Sequence, residues 1–277
     1  MQTKHSLTLV LGASGKTGRR IVSRLEEMGV AVRAGSRSGD PSFKWEDQTT
    51  WVRALTDVTT VYISYYPDLA VPAAPDDITA FTKLAKEMGV TKVVLLSGRG
   101  EEEAQRCEQI VQDSGIDWTI VRCAWFSQNF SENFIRDMVL EGIVALPAGV
   151  VKEPFIDTDD IADVAVAALT DPKHSGQLYE LTGPRMLTFT EAVAEISKAT
   201  GLDIKYVEIR GEAFVQGLKE QQLPDDIAKL LEYLFMTVLD GRNEYLTDGV
   251  KRALGREPKD FADYAKQAAK EGYWNTN

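Results

Sequence analysis

Short, dense apolar runs alternate with segments of helical periodicity through the first half of the chain. Ser6 to Leu11 reads as a buried strand; Ile21, Val22, Leu25 and Met28 then recur on one helix face, with Gly29 as the stop. "VAVRAGS" is a second short strand, "PSFKWED" holds a third ending near Trp45, and "TTVYISYYP" is a fourth. Pro75 opens a helix whose inner face is Ile78, Phe81, Leu84, Ala85 and Met88, closed by Gly89. "TKVVLLS" is an apolar fifth strand. Cys107, Ile110 and Val111 mark a helix from Glu101 to Ser114, and "DWTIVRCAWF" is a sixth strand.

Strands separated by helix-length patterns need crossovers, which predicts βαβ units, a parallel sheet and an α/β fold. After Phe126 the rhythm breaks. "PFIDTDDIADVAVAALTDP" is a helix with acids at its start, and "GQLYELTG" is a strand able to rejoin the sheet. Beyond Gly183 the chain is mostly helical, with Thr188 and Glu191 forming a capping box. The expected division is a doubly wound nucleotide-binding domain over 1–127 with 157–183, and a smaller, mainly helical substrate domain over 128–156 with 184–277. The stretch Asp225 to Leu239 carries Ile227, Leu230, Leu231, Leu234, Phe235 and Val238, too many apolar residues for a lone surface helix. It packs on its domain, lids a cleft or forms a dimer face, so monomer and homodimer both stay open.

Composition narrows the function. The chain has 277 residues and a net charge of −11, which argues against nucleic acid, since the phosphate backbone needs a basic footprint. No run approaches the roughly 20 apolar residues of a membrane span. "MQTKHSLTLVLG" enters the first strand at once, leaving no room for a signal peptide, so a cytoplasmic protein acting on a small molecule is expected. Cys107, Cys123, His5 and His174 are too dispersed for a metal site. Asp157, Asp159 and Asp160, like the acids of "GEEEAQ", read as helix starts rather than metal ligands.

The loop Gly12-Ala13-Ser14-Gly15-Lys16-Thr17-Gly18 joins the first strand to the first helix. Backbone approaches a pyrophosphate only where no Cβ intervenes, and the following helix aims its N–H groups at the anion, so a dinucleotide is expected here. Only Ala13 and Ser14 separate Gly12 from Gly15, which is too few for an NTPase phosphate loop. At the end of the second strand no acid lies between Glu27 and Asp40; Ser36 and Arg37 stand there, with Arg33 behind. A carboxylate would take a ribose 2′-hydroxyl, whereas a guanidinium takes a 2′-phosphate, so NADP is favoured over NAD. Lys16, Arg19 and Arg20 are further candidates for the phosphate field, although Arg19 or Arg20 also suits a solvated helix face.

With these residues in hand, the sequence resembles the NmrA-like group of atypical short-chain dehydrogenases/reductases over essentially its whole length. The landmarks are "LGASGKTGR", "FKWEDQTTWVRAL", "VYISYYP", "VVLLSGRG", "SGIDWTIVRCAWFSQNF", "PFIDTDDIADVAVAAL" and "YELTGP". "GKTG" and the tryptophan of "FKWED" look most like ergot-alkaloid dehydrogenases and bacterial quinone, azo and dye reductases. The resemblance implies a Rossmann-type domain binding NADP(H), with a substrate cleft beside it. It assigns Gly12, Ser14, Gly15, Lys16, Thr17 and Gly18 to the pyrophosphate, Ser36 and Arg37 to the adenosine phosphate, and Trp45 to the adenine neighbourhood. Tyr65 and Ser97 would sit by the nicotinamide half, and Trp125, Phe126 and Asn129 would wall the substrate side.

Most short-chain dehydrogenases carry a Tyr-x-x-x-Lys proton donor on the helix after "VVLLS". Here that helix is "EEEAQRCEQIVQDS", with neither residue; no Tyr lies between Tyr66 and Tyr179 and no Lys between Lys92 and Lys152. Three readings follow. The acceptor needs no side-chain acid at the moment of transfer, as for an iminium, quinone, azo compound or cationic dye; or the protein is an NADP(H) sensor acting through a protein partner; or Ser97, Tyr65 or Arg99 is the acid. The aromatic residues Tyr65, Tyr66, Trp125, Phe126, Phe130, Phe134 and Phe155 favour the first, since ring faces suit flat or cationic acceptors. Of these, Phe134 and Phe155 read as core.

Overall fold

The runs Leu7–Leu11, Val58–Ile63, Lys92–Gly98 and Asp117–Cys123 become strands with most of their residues buried, as a two-sided sheet interior requires, whereas Ala31–Gly35 buries only Gly35. The computed structural model describes residues 7–132, 134–220 and 223–275; His5 and Ser6 lie outside them. In chain order come β1 (Leu7–Leu11), α1 (Gly18–Glu27), β2 (Ala31–Gly35), α2 (Trp51–Leu55), β3 (Val58–Ile63), α3 (Ala74–Glu87), β4 (Lys92–Gly98), α4 (Glu102–Asp113) and β5 (Asp117–Cys123). There follow α5 (Phe134–Leu140), β6 (Ile143–Leu146), β7 (Lys152–Glu153), α6 (Thr158–Thr170), β8 (Gln177–Leu181), β9 (Leu187–Thr188) and α7 (Phe189–Thr200). The last are β10 (Lys205–Glu208), α8 (Gly211–Glu220), α9 (Asp225–Tyr233), α10 (Gly249–Leu254) and α11 (Phe261–Lys270).

Six strands form one sheet in the order β2-β1-β3-β4-β5-β8, the pairs β1–β2, β1–β3, β3–β4 and β4–β5 being parallel. Strand order reverses between β1 and β3, the topological switch point at which open α/β sheets bind ligands. "PSFKWED" is not a strand. β2 is the sheet edge, so the period-two alternation of Phe43 and Trp45 serves packing instead: Phe43 stacks on Trp51 at 6.1 Å and meets Phe81 edge-on at 5.8 Å. The sixth predicted strand is also shorter than the sequence suggested, ending at Cys123.

The chain folds into two compact units. The first comprises the residues up to Cys123, Thr158–Glu180 and Gly249–Arg256; the second comprises Ala124–Asp157, Leu181–Asp248 and the residues from Glu257 on. In the first unit the acids opening α6 are structural. Asp159 accepts from Arg20 (3.2 Å) and Arg24 (2.9 Å), Asp163 from Arg24 (2.7 Å), and Asp160 from Arg256 (2.5 Å). These bonds tie α6 to α1 and to the α10 end. Arg20 is thus an ion-paired, largely buried side chain rather than a solvated one.

The second unit is built on Phe130, Phe155, Phe189, Phe235 and Phe261, all buried. β6 pairs with β10 in parallel and β7 with β9 antiparallel. The capping box forms at the start of α7: the Thr188 hydroxyl accepts from the Glu191 N–H, and the Glu191 carboxylate accepts from the Thr188 N–H. The apolar stretch from Asp225 splits into α9 and a π-turn over Leu234–Val238, and its anchors are Phe235 and Val238. Among the described residues no helix is long and apolar enough to cross a membrane.

Candidate functional site

The glycine loop leaves β1 with its backbone folded on itself. Gly12 has φ +68°, a left-handed conformation that favours glycine, and the Gly15 N–H donates to the Gly12 carbonyl at 2.8 Å. A Cβ on Gly18 would lie 2.1 Å from the Gly12 oxygen, so only glycine lets α1 start this close to the strand end. α1 begins without a side-chain cap and without an acid in its first turn, unlike α3, α4 and α6, whose first turns carry Asp76 and Asp77, Glu102 and Glu103, and Asp159 and Asp160. No acid of that first turn therefore offsets its positive end. The Thr17 hydroxyl is buried and accepts from the Tyr62 hydroxyl at 2.9 Å. Ser14 is exposed in the loop, while the Lys16 carbonyl accepts from Arg20 at 2.7 Å.

At the end of β2 the Ser36 carbonyl accepts from the N–H groups of Gly39 and Phe43, holding a tight turn that leaves Arg37 exposed. The Arg37 guanidinium lies over the Tyr66 ring, 4.6 Å from its centroid, a cation–π contact. Arg33 is turned away, donating to the carbonyls of Ala54 and Thr56 at the end of α2. Trp45 is 6% exposed, with Tyr65, Phe81, Phe43 and Trp51 packed around it at 4.7–5.8 Å. It thus supports Tyr65 from behind rather than presenting a free face.

The three side-chain acids suggested by position are all engaged. The Tyr65 hydroxyl donates to Asp77 at 2.6 Å, and burial together with that carboxylate pushes its pKa up, making it a poor acid. The buried Ser97 hydroxyl donates to Glu108 at 2.6 Å, and Glu108 also takes both arms of Arg122, one at 2.8 Å. Arg99 is buried and donates to Glu180 at 2.7 Å.

Sequence reasoning missed a different pair on the same edge of the sheet. Glu101, read as a helix-start acid, takes no capping bond; its buried carboxyl folds back over Gly98 and shares a hydrogen bond with Asp68 of the β3–α3 loop. The signal available was "SGRGE", two glycines spaced around a residue destined for a bend.

The remaining sequence candidates lie in the second unit, apart from Tyr66, which is exposed in the first. Trp125 packs edge-on to Phe235 (4.9 Å) and Phe189 (5.8 Å). Phe126 bridges to Ile156, and the Asn129 N–H donates to the Phe126 carbonyl at 3.0 Å. Phe130 and Phe155 are core, and Phe134 is half-buried against Phe235. No cluster of His, Cys, Asp or Glu able to hold a metal occurs among the described residues.

The NmrA-like family model matches residues 102–265, and an NAD(P)H-binding model matches residues 12–172, opening at the first glycine of the loop. The chain belongs to the NmrA-like family. It is 31% identical to agroclavine dehydrogenase of Claviceps fusiformis, over 92% of this chain and 95% of that one. It is 29% identical to the NAD(P)H azoreductase of Xenophilus azovorans, over 95% and 98%. The solved NADPH complex of the Escherichia coli quinone oxidoreductase QOR2 superposes with a TM-score of 0.78 at 22% identity, over 94% of this chain and 99% of that one.

For an NmrA-like protein the loop fits a nicotinamide dinucleotide on its own geometry. The space a Cβ would fill at Gly18 is closed by backbone, the start of α1 carries no internal anion, and a guanidinium stands past β2 where an acid would repel a 2′-phosphate. α4, the helix that carries the acid in typical short-chain dehydrogenases, spells "EEAQRCEQIVQD", with no Tyr and no Lys.

Proposed function

We propose that the protein is an NADPH-preferring reductase of electron-poor small organic acceptors of the iminium, quinone, azo or dye class. Reduced nicotinamide, when bound, supplies hydride. The Gly12–Gly18 loop would hold the pyrophosphate through backbone N–H groups, and Ser36 with Arg37 the adenosine phosphate. Arg37 is pre-positioned by Tyr66, so less of its freedom is lost on closing over a phosphate. The observation that carries the reading is the conjunction of that loop with an α4 devoid of Tyr and Lys. An acceptor whose charge is quenched or delocalised by hydride suits such a site, because position and exclusion of water provide most of the acceleration. The clavine dehydrogenase and azoreductase relatives support this acceptor class.

The test is to follow loss of nicotinamide absorbance with NADPH and a panel of quinones, azo dyes, triphenylmethane dyes and cyclic iminium salts. Saturable turnover with at least one class is expected. Tight NADPH binding without turnover on any of them, together with a co-purifying protein, would replace the enzyme by a redox sensor.

A further inference from the structure

Glu101 is an unusual carboxyl. Gly100, at φ +73°, reverses the chain after β4, so Glu101 returns over the strand it has just left. A Cβ on Gly98 would lie 2.2 Å from Glu101 Oε1 and 2.3 Å from Oε2: the carboxyl occupies the place of the missing side chain. The residue is 8% exposed, and its Oε2 is buried without a hydrogen-bond partner. A buried carboxyl oxygen without a partner calls for an explanation, and a catalytic role is one.

Its place is chemically specific. Gly98 ends β4 and Asp68 follows β3, both at the carboxyl edge of the sheet. A Cβ on Gly12 would lie 3.0 Å from Ser64 Cβ, so the glycine loop meets the end of β3 directly, and Glu101 lies one strand further from the switch point. By the alternation of β4, Ser97 and Gly98 face opposite sides, and the Glu101 carboxyl sits over Gly98 while Ser97 donates to Glu108.

We propose that Glu101, seated on Gly98, is the proton donor to the reduced acceptor, and that Asp68 is its positioning partner. The proposal rests on the reductase reading. A quinone that takes hydride, two electrons with one proton, becomes an oxyanion. The O–H bond of Glu101 breaks, that proton bonds the anionic oxygen, and hydroquinone leaves. Glu101 remains as carboxylate and regains its proton from water. The sum is quinone, NADPH and one proton giving hydroquinone and NADP+. An azo nitrogen takes the same proton; an iminium carbon needs none.

The surroundings keep that proton in place. Burial first, then the Asp68 carboxylate and its hydrogen bond, and then Glu108 push the Glu101 carboxyl well above the usual range. Asp68 is itself raised by burial, but the Ala70 N–H at 2.9 Å and the bond from Glu101 favour its ionised form, so the shared proton belongs to Glu101. The other titratable neighbours are the thiols of Cys123 and Cys107, both raised by burial and so neutral. Arg99 is paired with Glu180, and Arg122 with Glu108.

The test compares wild type, Glu101→Gln and Asp68→Asn with one quinone and one cationic triphenylmethane dye, alongside infrared spectra of the proteins without acceptor. Wild type should show the C=O stretch of a protonated carboxylic acid at neutral pH, missing in Glu101→Gln. In that variant the ratio of quinone to dye turnover should fall about a hundredfold, within the usual range for general acids. In Asp68→Asn the quinone rate should fall off at lower pH than in wild type, because a charge that held the proton is gone. An unchanged ratio in Glu101→Gln, or no acid band in wild type, would overturn the proposal with the reductase intact. Loss of all turnover by wild type would instead overturn the reductase reading itself.

Discussion

Gly18 and Gly98 both lack a side chain where a methyl group would have to sit, but for different reasons. At Gly18 the obstacle is the Gly12 backbone, which cannot move aside. Gly18→Ala should cost about 2 kcal/mol by chemical denaturation, typical of overpacking, and should abolish NADPH binding by calorimetry. At Gly98 the obstacle is the end of a flexible side chain, so Gly98→Ala should fold but displace the Glu101 carboxyl and erase its infrared band. Arg37→Asp should weaken NADPH about a hundredfold while sparing NADH, as expected from losing a charge-assisted phosphate contact; equal loss of both would remove the phosphate assignment. The loop glycines were legible in the sequence because strand, turn and helix followed in order. Glu101 was not. Three successive glutamates after a glycine match the ordinary pattern of a helix start, and only tertiary packing turns one of them backward.

Among the elements, β4, α4 and β5 are joined by the Ser97–Glu108–Arg122 cluster. Glu108 is buried, and removing its partner strands a carboxylate away from water. Arg122→Met should therefore cost about 3 kcal/mol, read from the urea midpoint, whereas a loss within error would show the pair to be incidental. The parallel order was readable because strands and helices alternate with clean glycine stops. "PSFKWED" misled because an alternation of two aromatics looks the same whether it pairs with a strand or plugs the core under a helix; the sheet simply ends at β2. The acids of "DTDDIADV" were expected to serve α6 alone. Their partners Arg20, Arg24 and Arg256 lie far along the chain, where no local pattern announces them.

Over the whole molecule, two buried groups give stability opposite pH slopes. Glu101 is raised above its ordinary value of about 4.5, so the stability it contributes is complete below that value and is lost as pH rises toward its folded-state pKa. Buried His174 is lowered from 6.5, chiefly by desolvation, so its contribution is complete above 6.5 and is lost as pH falls. Glu101→Gln should consequently flatten the fall of melting temperature with rising pH above about 4.5 and leave the acid side unchanged. An identical alkaline slope in variant and wild type would place the proton elsewhere. The reductase reading depends most directly on coenzyme binding. Calorimetric titration of the folded protein with NADPH and NADH, at two temperatures, should show one saturable site per chain, tighter for NADPH. No heat from either coenzyme at either temperature would contradict it.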